Sequence, residues 1–584
     1  MAILMLAYLI PVHALDDTIE NSILSSSQLP IQLAAQSSAF TKLNNKQAAL
    51  NIDELPSPLS SNTSTSANIN HDSQSGGGEE ADESLSSFSL NVDVPSTGVT
   101  YTGATYSSEM HSQVNITHSL GEALSQFYPV QGYLGQNPPV SKANERANEQ
   151  ALIEHLQLLA LATDNSQFSA YMQLMKHASE AKKMEFIDSY AQAIIDFWLA
   201  HKVSLPHYSS FKSTGKNNYS ALNPAADDYA SVISHIQRLT WLADHTSWQQ
   251  IKLNGLLRPW DGHAAIKMIG ERLWLLGDLM HYDAEQYTYQ GDLVEAVMRF
   301  QLRHGLNNDA VIGPKTLFWL NQTPTDKATI LASNFVDKTL YLASLPSRYL
   351  LVNIPSFELF LIDQGQPVLH SRVIVGKPYR QTPLVVGRIS NVVINPTWTV
   401  PRNLLRADIL PQIQNDGNYI NQREFDAFDY QGQVVSKTAD QWQSIAGGYF
   451  PYRLVQKPGA INALGRYKFH FNNDDNIYLH DTPNKELFAQ ADRALSSGCI
   501  RIEKVQQLAQ WFADNLVIDQ RTWRLLQSNY DRTQWFALKD TLPVHFVYWT
   551  AWVDSHNQAQ FRGDIYGKYP KSNADLASMK LKHL

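Results

Sequence analysis

The spacing of apolar residues changes period along this chain of 584 residues, and the change divides it. Between about residues 121 and 258 apolar side chains recur every three or four positions, the period of a helix with one buried face. Residues 149–159 (EQALIEHLQLL) and 186–198 (FIDSYAQAIIDFW) carry the pattern most regularly. His155 and His177 fall among these helices and read as surface or capping residues. From Tyr349 the period falls to two, as in a strand with one buried face. Residues 349–354, 358–362, 371–375 and 391–395 read as strands, with turns at Pro355-Ser356 and Asp363-Gln364-Gly365. A second set, 467–471 and 476–479, runs straight into His480, an amphipathic helix follows over 504–515, and 544–552 reads as a late strand.

Two further segments stand apart. Residues 283–322 form a compact helical unit in which Leu293, Ala296, Val297 and Phe300 share one face. Gly305 is placed to end that helix in a left-handed cap, and Gly313-Pro314 opens another turn toward Thr316, Leu317 and Leu320. Between Pro401 and Pro458 the strand pattern is interrupted by a helix-like stretch, 403–414, and an aromatic-rich one, 440–452. Insertions of that length are either functional or floppy. The aromatic content favours an ordered flap, placed to act as a lid.

Composition adds the compartment. Residues 1–14 end an apolar run with Val12-His13-Ala14, the small-x-small ending of a secretory leader, although the basic n-region is missing. The run is too short to span a bilayer. Residues 15–115 are rich in Ser, Asn, Thr and Gly, with too little apolar area to offset ordering entropy, and read as a disordered tether. The remainder, in a chain 43% hydrophobic and 17% charged, is long enough for several cores. A net charge of -9, with no long basic run, argues against a nucleic-acid partner. A single cysteine excludes an intramolecular disulfide and any cysteine-rich zinc site.

That cysteine, Cys499, carries the candidate chemistry. A thiol attacks as thiolate, and a neutral imidazole within reach can take its proton; His480, 19 positions upstream, is the candidate base. Gly498 lets the backbone turn tightly, so that the main-chain N–H groups of Gly498 and Cys499 can serve as an oxyanion hole. A free cysteine is most often a small, inert core residue. The small polar run Ser496-Ser497-Gly498 and the exported setting favour a reactive thiol instead. Tyr478 shares a strand face with His480 and either lines the site or belongs to the core. Arg501 either binds a substrate carboxylate or holds the loop by a salt bridge. Asp481 points away from His480 on a strand, so a backbone carbonyl is the better candidate to orient the imidazole. His470 and His480 with Asp474 and Asp475 make a poor zinc site, so neither metal nor cofactor is expected.

His-Asp-Thr-Pro at 480–483 and Ser-Ser-Gly-Cys-Ile-Arg at 496–501 resemble the signature of the L,D-transpeptidases. Arg372-Val-Ile-Val-Gly-Lys377, Thr382-Pro383, Asn395-Pro-Thr-Trp398, Pro458-Gly459, Asn462-Ala-Leu-Gly465 and Lys468-Phe469 extend the likeness to the large periplasmic branch of that family. The unit at 283–322 resembles a small peptidoglycan-binding module, through Phe300-Gln301, Gly305-Leu306, Asp309, Ile312-Gly313, Thr316 and Leu320-Asn321, with Ala310 where glycine is usual.

The resemblance implies a multidomain α+β protein. A helical scaffold (116–270), the peptidoglycan-binding-like module (283–322) and a mainly-β catalytic domain (345–570) with a capping insertion (402–457) would follow in order. It implies a periplasmic enzyme with Cys499 as nucleophile and His480 as general acid–base. Ser497, Tyr478 and Arg501 would contact substrate. Ser497 replaces the histidine that smaller members carry there, which leaves His480 as the base. The reaction would acylate Cys499 with a tetrapeptide stem of peptidoglycan, release D-alanine, and pass the acyl group to a second stem as a 3→3 cross-link. Carbapenems would inhibit it, and wall-synthesis proteins are possible partners. Hydrolysis, as in an L,D-carboxypeptidase or thiol peptidase, shares the acylation half; a non-catalytic wall-binding scaffold is the third reading.

Overall fold

Helical periodicity up to about residue 342 and alternation beyond it become two kinds of architecture in the computed structural model, which describes residues 140–568 apart from 164 and 214–217. The leader expected at 1–14, the tether at 15–115 and the start of the helical region lie outside the described residues.

The helical part begins with α1 (Val140–Ala162), α2 (Ser166–His177) and α3 (Glu180–Ala200), followed by α4 (Tyr229–His245) and α5 (Ala265–Leu276). Leu152, Leu156 and Leu159 of α1 are fully buried, and so is His155. The surface or capping role expected for His155 is therefore corrected. It lies three residues after Leu152, on the apolar face, where its Nδ1 meets the Tyr229 hydroxyl at 3.0 Å and its ring stacks on that of Tyr229. His177 is exposed in the last turn of α2.

The module follows. In α6 (Asp292–Arg303), Leu293, Ala296, Val297 and Phe300 are all buried, with Asp292 and Glu295 in the first turn, where acids favour a helix N-terminus. Gly305 takes φ +65 just past the helix, as a left-handed cap requires, and α7 (Pro314–Asn321) starts at the expected proline. Ala310 adopts φ +59, a conformation in which glycine carries no Cβ penalty, and the Gln301 side chain holds it by accepting from Ala310 N–H. Bridges between Leu257 and Ile312 and between Gly262 and Thr288 draw 257–276 into the module, so the unit begins before residue 283. Helix α8 (Pro324–Leu342), opened by a capping box of Thr323 and Asp326, leads into the sheet.

Strands β1 (Tyr349–Asn353), β2 (Glu358–Asp363), β3 (Gln366–Gly376) and β4 (Val386–Ile394) come next. Strand β5 (Trp398–Thr399), just ahead of the insertion, joins the insertion's own strands β6 (Phe425–Phe428), β7 (Val434–Val435) and β8 (Arg453–Gln456). Strands β9 (Tyr467–His470), β10 (Leu479–His480), β11 (Ala494–Ser496), β12 (Ile500–Ile502) and β13 (Gln534–Val547) return to the main sheet, and β14 (Ala551–Val553) pairs with β15 (Ala559–Phe561) alone. The main sheet runs β11-β3-β12-β10-β9-β4-β13-β1-β2, and β2 also pairs with β3, so the sheet closes on itself and leaves few free edges. Its core face buries Leu350, Val373, Val392, Phe469, Leu479 and Ile500 against Leu508 and Phe512 of helix Val505–Asn515.

Strand boundaries differ from expectation in several places: β3 and β4 begin at Gln366 and Val386, ahead of the expected 371 and 391. The expected strand at 476–479 shrinks to Leu479–His480 because the Asn473 amide bonds the carbonyls of Phe471 and Ile477 and the N–H of Ile477, folding a loop there. The late strand begins at Gln534 rather than residue 544, filling the gap between β4 and β1. It ends at Val547 because Asn353 takes both the N–H and the carbonyl of Trp549, and Asn334 bonds Thr550 N–H.

The insertion is ordered. Strands β5-β8-β6-β7 form a separate four-stranded sheet, and Leu405, Ile409, Ile413, Phe425, Trp442, Phe450 and Leu454 close a core of their own. Helix 403–414 is broken by a π-helical turn, Leu405–Ile409, ahead of Pro411, whose missing N–H cannot continue the ladder. The whole insertion separates β4 and β9, which are hydrogen-bonded neighbours in the main sheet.

Candidate active site

Period-two alternation decides which side chains meet. Tyr467, Phe469 and Phe471 point into the core, so Lys468 and His470 take the opposite face of β9. Register carries that face across the sheet: Lys468 lies opposite His480, and His480 opposite Arg501. Two residues back along the parallel pair, and so on the same face, Tyr478 lies beside Cys499, with Ile500 N–H donating to the Tyr478 carbonyl at 3.1 Å. Cys499 and His480 therefore occupy one face of adjacent strands, diagonal to each other. Tyr478 and Arg501 complete the square, and the two rings of Tyr478 and His480 approach edge to face at 5.6 Å.

The turn that presents the sulfur is held from several sides. Gly498 has φ +119, a conformation that L side chains rarely adopt, so the backbone calls for glycine, and a Cβ there would also press on Ile477 Cδ1 at 3.0 Å. Thr382 Oγ1 donates to the Gly498 carbonyl at 2.7 Å and accepts from Gly376 N–H at 2.9 Å. Ser496 Oγ donates to the Cys499 carbonyl at 2.6 Å and accepts from Gly498 N–H at 3.1 Å. The Gly498 N–H expected in an oxyanion hole is thus turned into the loop in this arrangement, which leaves the Cys499 N–H as the candidate donor. Ser497 is exposed, and its Oγ accepts from Arg380 Nη1 at 3.0 Å.

His480 is buried, and its Nδ1 donates to the Asp481 carbonyl at 2.5 Å. A backbone carbonyl orients the ring, as the strand argument expects, and leaves Nε2 as the acceptor nitrogen. The Asp481 carboxylate is occupied elsewhere, by the N–H groups of Arg466 and Thr482 and by Lys485. Burial, then the Arg501 guanidinium and the Lys468 ammonium, holds the His480 pKa down to about 3, so the imidazole is neutral. Burial also pushes the Cys499 thiol up, against the opposing pull of the Tyr478 main chain and hydroxyl, Lys468 and Arg501. At rest the thiol and the ring are both neutral, and it is Tyr478 that hydrogen-bonds the sulfur, through its main chain and its side chain.

Several residues here escape a motif reading. Thr382 and Ser496 act on backbone groups, and the only sequence signal for them is their closeness to proline or to the Ser-Ser-Gly run. Lys468 stands in the motif set without an assigned role. The insertion reaches the site through Arg380, which pairs with Asp408 on the π-helical turn, and through Trp398, which bonds the Tyr478 side chain. Among the described residues no three or more His, Cys, Asp or Glu side chains are grouped to hold a metal ion.

Residues 347–522 match the family model of the L,D-transpeptidase catalytic domain (YkuD). A Haemophilus influenzae protein that bears the L,D-transpeptidase name provisionally is 38% identical over 250 residues, which is 42% of this chain and 50% of that protein. The chain thus spans about half the length of the curated relative it matches. Among solved structures, the catalytic domain of an E. faecium L,D-transpeptidase acylated by ertapenem aligns at 11% identity and a TM-score of 0.17, over 35% of this chain and 98% of that one. An L,D-transpeptidase from Xylanimonas cellulosilytica aligns at 11% identity and a TM-score of 0.15, over 51% of this chain and 100% of that one. Scores this low add no weight to the sequence match.

Proposed function

From the premise that an L,D-transpeptidase catalytic domain occupies residues 347–522, we propose that the chain is a cysteine acyltransferase of the bacterial wall. One observation carries the reading: a neutral imidazole with a fixed tautomer shares a sheet face with the sole cysteine, one strand away. In the proposed reaction the donor is a tetrapeptide stem of peptidoglycan. Cys499 Sγ attacks the carbonyl of the third-position diamino acid as its proton passes to His480 Nε2. The C–N bond to D-alanine breaks, and the same proton leaves on the D-alanine amine. A thioester remains on Cys499. The side-chain amine of a second stem then attacks it, loses a proton to His480, and forms a 3→3 cross-link as the thiol is restored by that proton. The Cys499 N–H supports the developing oxyanion, a contribution typically worth about 3 kcal/mol.

Under this reading Tyr478 and Arg501 contact substrate, Ser497 borders it, and carbapenems acylate the same sulfur. The insertion, anchored at Trp398 and Asp408, acts as a lid that keeps water from the thioester while an amine enters. The periplasm is the compartment in which this chemistry would meet its peptidoglycan substrate. The module at 283–322 is a candidate wall-binding unit.

The test is incubation of the purified full chain with tetrapeptide muropeptides and weighing of the products. Dimers lacking one D-alanine are expected, and Cys499→Ala is expected to make none. Tripeptides alone would assign hydrolysis instead; no change would leave only a binding role.

A further inference from the structure

The active face of the sheet carries two cations beside the catalytic pair, and no anion is paired with either of them among the described residues. Lys468 and Arg501 flank His480 in one register row, on the strands either side of it. Lys468 Nζ rests 4.0 Å above the Tyr478 ring centroid and 5.9 Å from that of Trp535, against aromatic faces and without an ion-pair partner among the described residues. Arg501 Nε is enclosed with no hydrogen-bond partner among the described residues. For both, burial works against the charge, and the one group favouring it is the Cys499 sulfur.

Half-buried cations without a counter-ion are costly, and other enclosed cations of this protein find a partner. Arg303 has Asp278, and buried Lys327 donates to the Trp319 carbonyl at 2.9 Å. Strand spacing places the backbones of Lys468 and Arg501 roughly 10 Å apart. Two long side chains can close that gap on a small anion, Arg offering a planar fork and Lys a point charge.

We propose that Lys468 and Arg501 form a carboxylate subsite straddling His480, so that the anionic end of the donor peptide switches on the base that drives attack on it. This deepens, and rests on, the acyl-transfer reading above. The free site keeps the imidazole neutral partly through these two charges. A carboxylate bound between them cancels that repulsion and makes His480 a stronger proton acceptor at the moment substrate is present. The other groups facing His480 do not supply the missing anion. Tyr478 and Cys499 are neutral at rest, His470 on β9 is itself held toward its neutral form by burial and Lys468, and the Asp481 carboxylate is committed to Arg466 N–H, Thr482 N–H and Lys485. Arg380 is paired with Asp408. Lys468 is thus a positioning residue for the base as well as a contact for the ligand.

The experiment needs no turnover, so its failure is separable from failure of the transferase reading. The full chain, labelled with nitrogen-15 histidine, is observed by NMR at about pH 7, where the fold and the probe's carboxylate are both intact, with the His480 signal assigned by its loss in His480→Gln. N-acetyl-D-alanine is the probe and N-acetyl-D-alaninamide its uncharged control. The carboxylate is expected to shift the His480 Nε2 resonance in proportion to its binding, and the amide to leave it unmoved. Lys468→Met is expected to shift the same resonance in the same direction in the free protein and to weaken carboxylate binding roughly tenfold, with Lys468→Arg restoring it. Binding of the carboxylate without movement of His480, an equal shift by the amide, or no binding up to the solubility of the probe would each overturn the proposal.

Discussion

At the scale of single residues, the chemistry depends on how Gly498 turns the chain. Its φ of +119 is a conformation that L side chains rarely adopt, and a Cβ there would crowd the Ile477 Cδ1 methyl. Gly498→Ala should therefore cost roughly 1–3 kcal/mol of local strain and move the neighbouring sulfur. A shift of that size lowers acylation of Cys499 on the order of a hundredfold, with secondary structure retained. Timed mass spectrometry with a carbapenem measures this; parent-like acylation would show that the turn does not set the geometry. The glycine, the cysteine and His480 were legible in the sequence because they lie in short contiguous motifs. The role of Ser496 was not, because it acts through its own neighbours' backbone groups, and no residue type is diagnostic of that. His155 was misread for the opposite reason: its position on the apolar face of α1 was visible, but its polarity argued for the surface.

At the scale of elements, the insertion is a small folded unit attached to the site at two points. Its π-helical turn presents Asp408 to Arg380, and Arg380 reaches Ser497 beside the nucleophile. Both partners are partly exposed to solvent, so the pair adds little to stability. Its consequence is positional. Asp408→Asn should leave the unfolding midpoint nearly unchanged and raise the share of tripeptide over cross-linked dimer, because a looser lid admits water. An unchanged product ratio would separate the latch from the reaction. That the insertion is ordered was foreseeable from its aromatic residues, which became Trp442, Phe450 and Tyr452 around one core. The place of β13 was not: a strand from the far end of the catalytic region inserts between β4 and β1, and no local periodicity encodes a partner that distant.

At the scale of the whole molecule, buried histidines tie stability to pH. Burial holds His155 and His545 at about 4 and, with Arg501 and Lys468, His480 at about 3, against an ordinary value of 6.5. Below pH 6.5 the unfolded chain takes up these protons and the folded chain does not, so stability is full above that pH and is lost as pH falls toward 4. Each group removes on the order of 3 kcal/mol across the window. Asp337, raised by burial to about 6, and Glu154, also raised by burial, work in the other direction, while His235, His304 and His470, all lowered chiefly by burial, add to the first three. The urea midpoint is expected to drop clearly between pH 7.5 and pH 5, and a flat profile would mean that these rings are hydrated. The central claim, that Cys499 carries the acyl group, has a more direct test in the muropeptide incubation quenched with acid. Intact-mass and peptide analysis should find the tetrapeptide, less its D-alanine, on Cys499, with nothing there in Cys499→Ala. Product formed without any adduct on that sulfur, or with the adduct on another residue, would contradict the account.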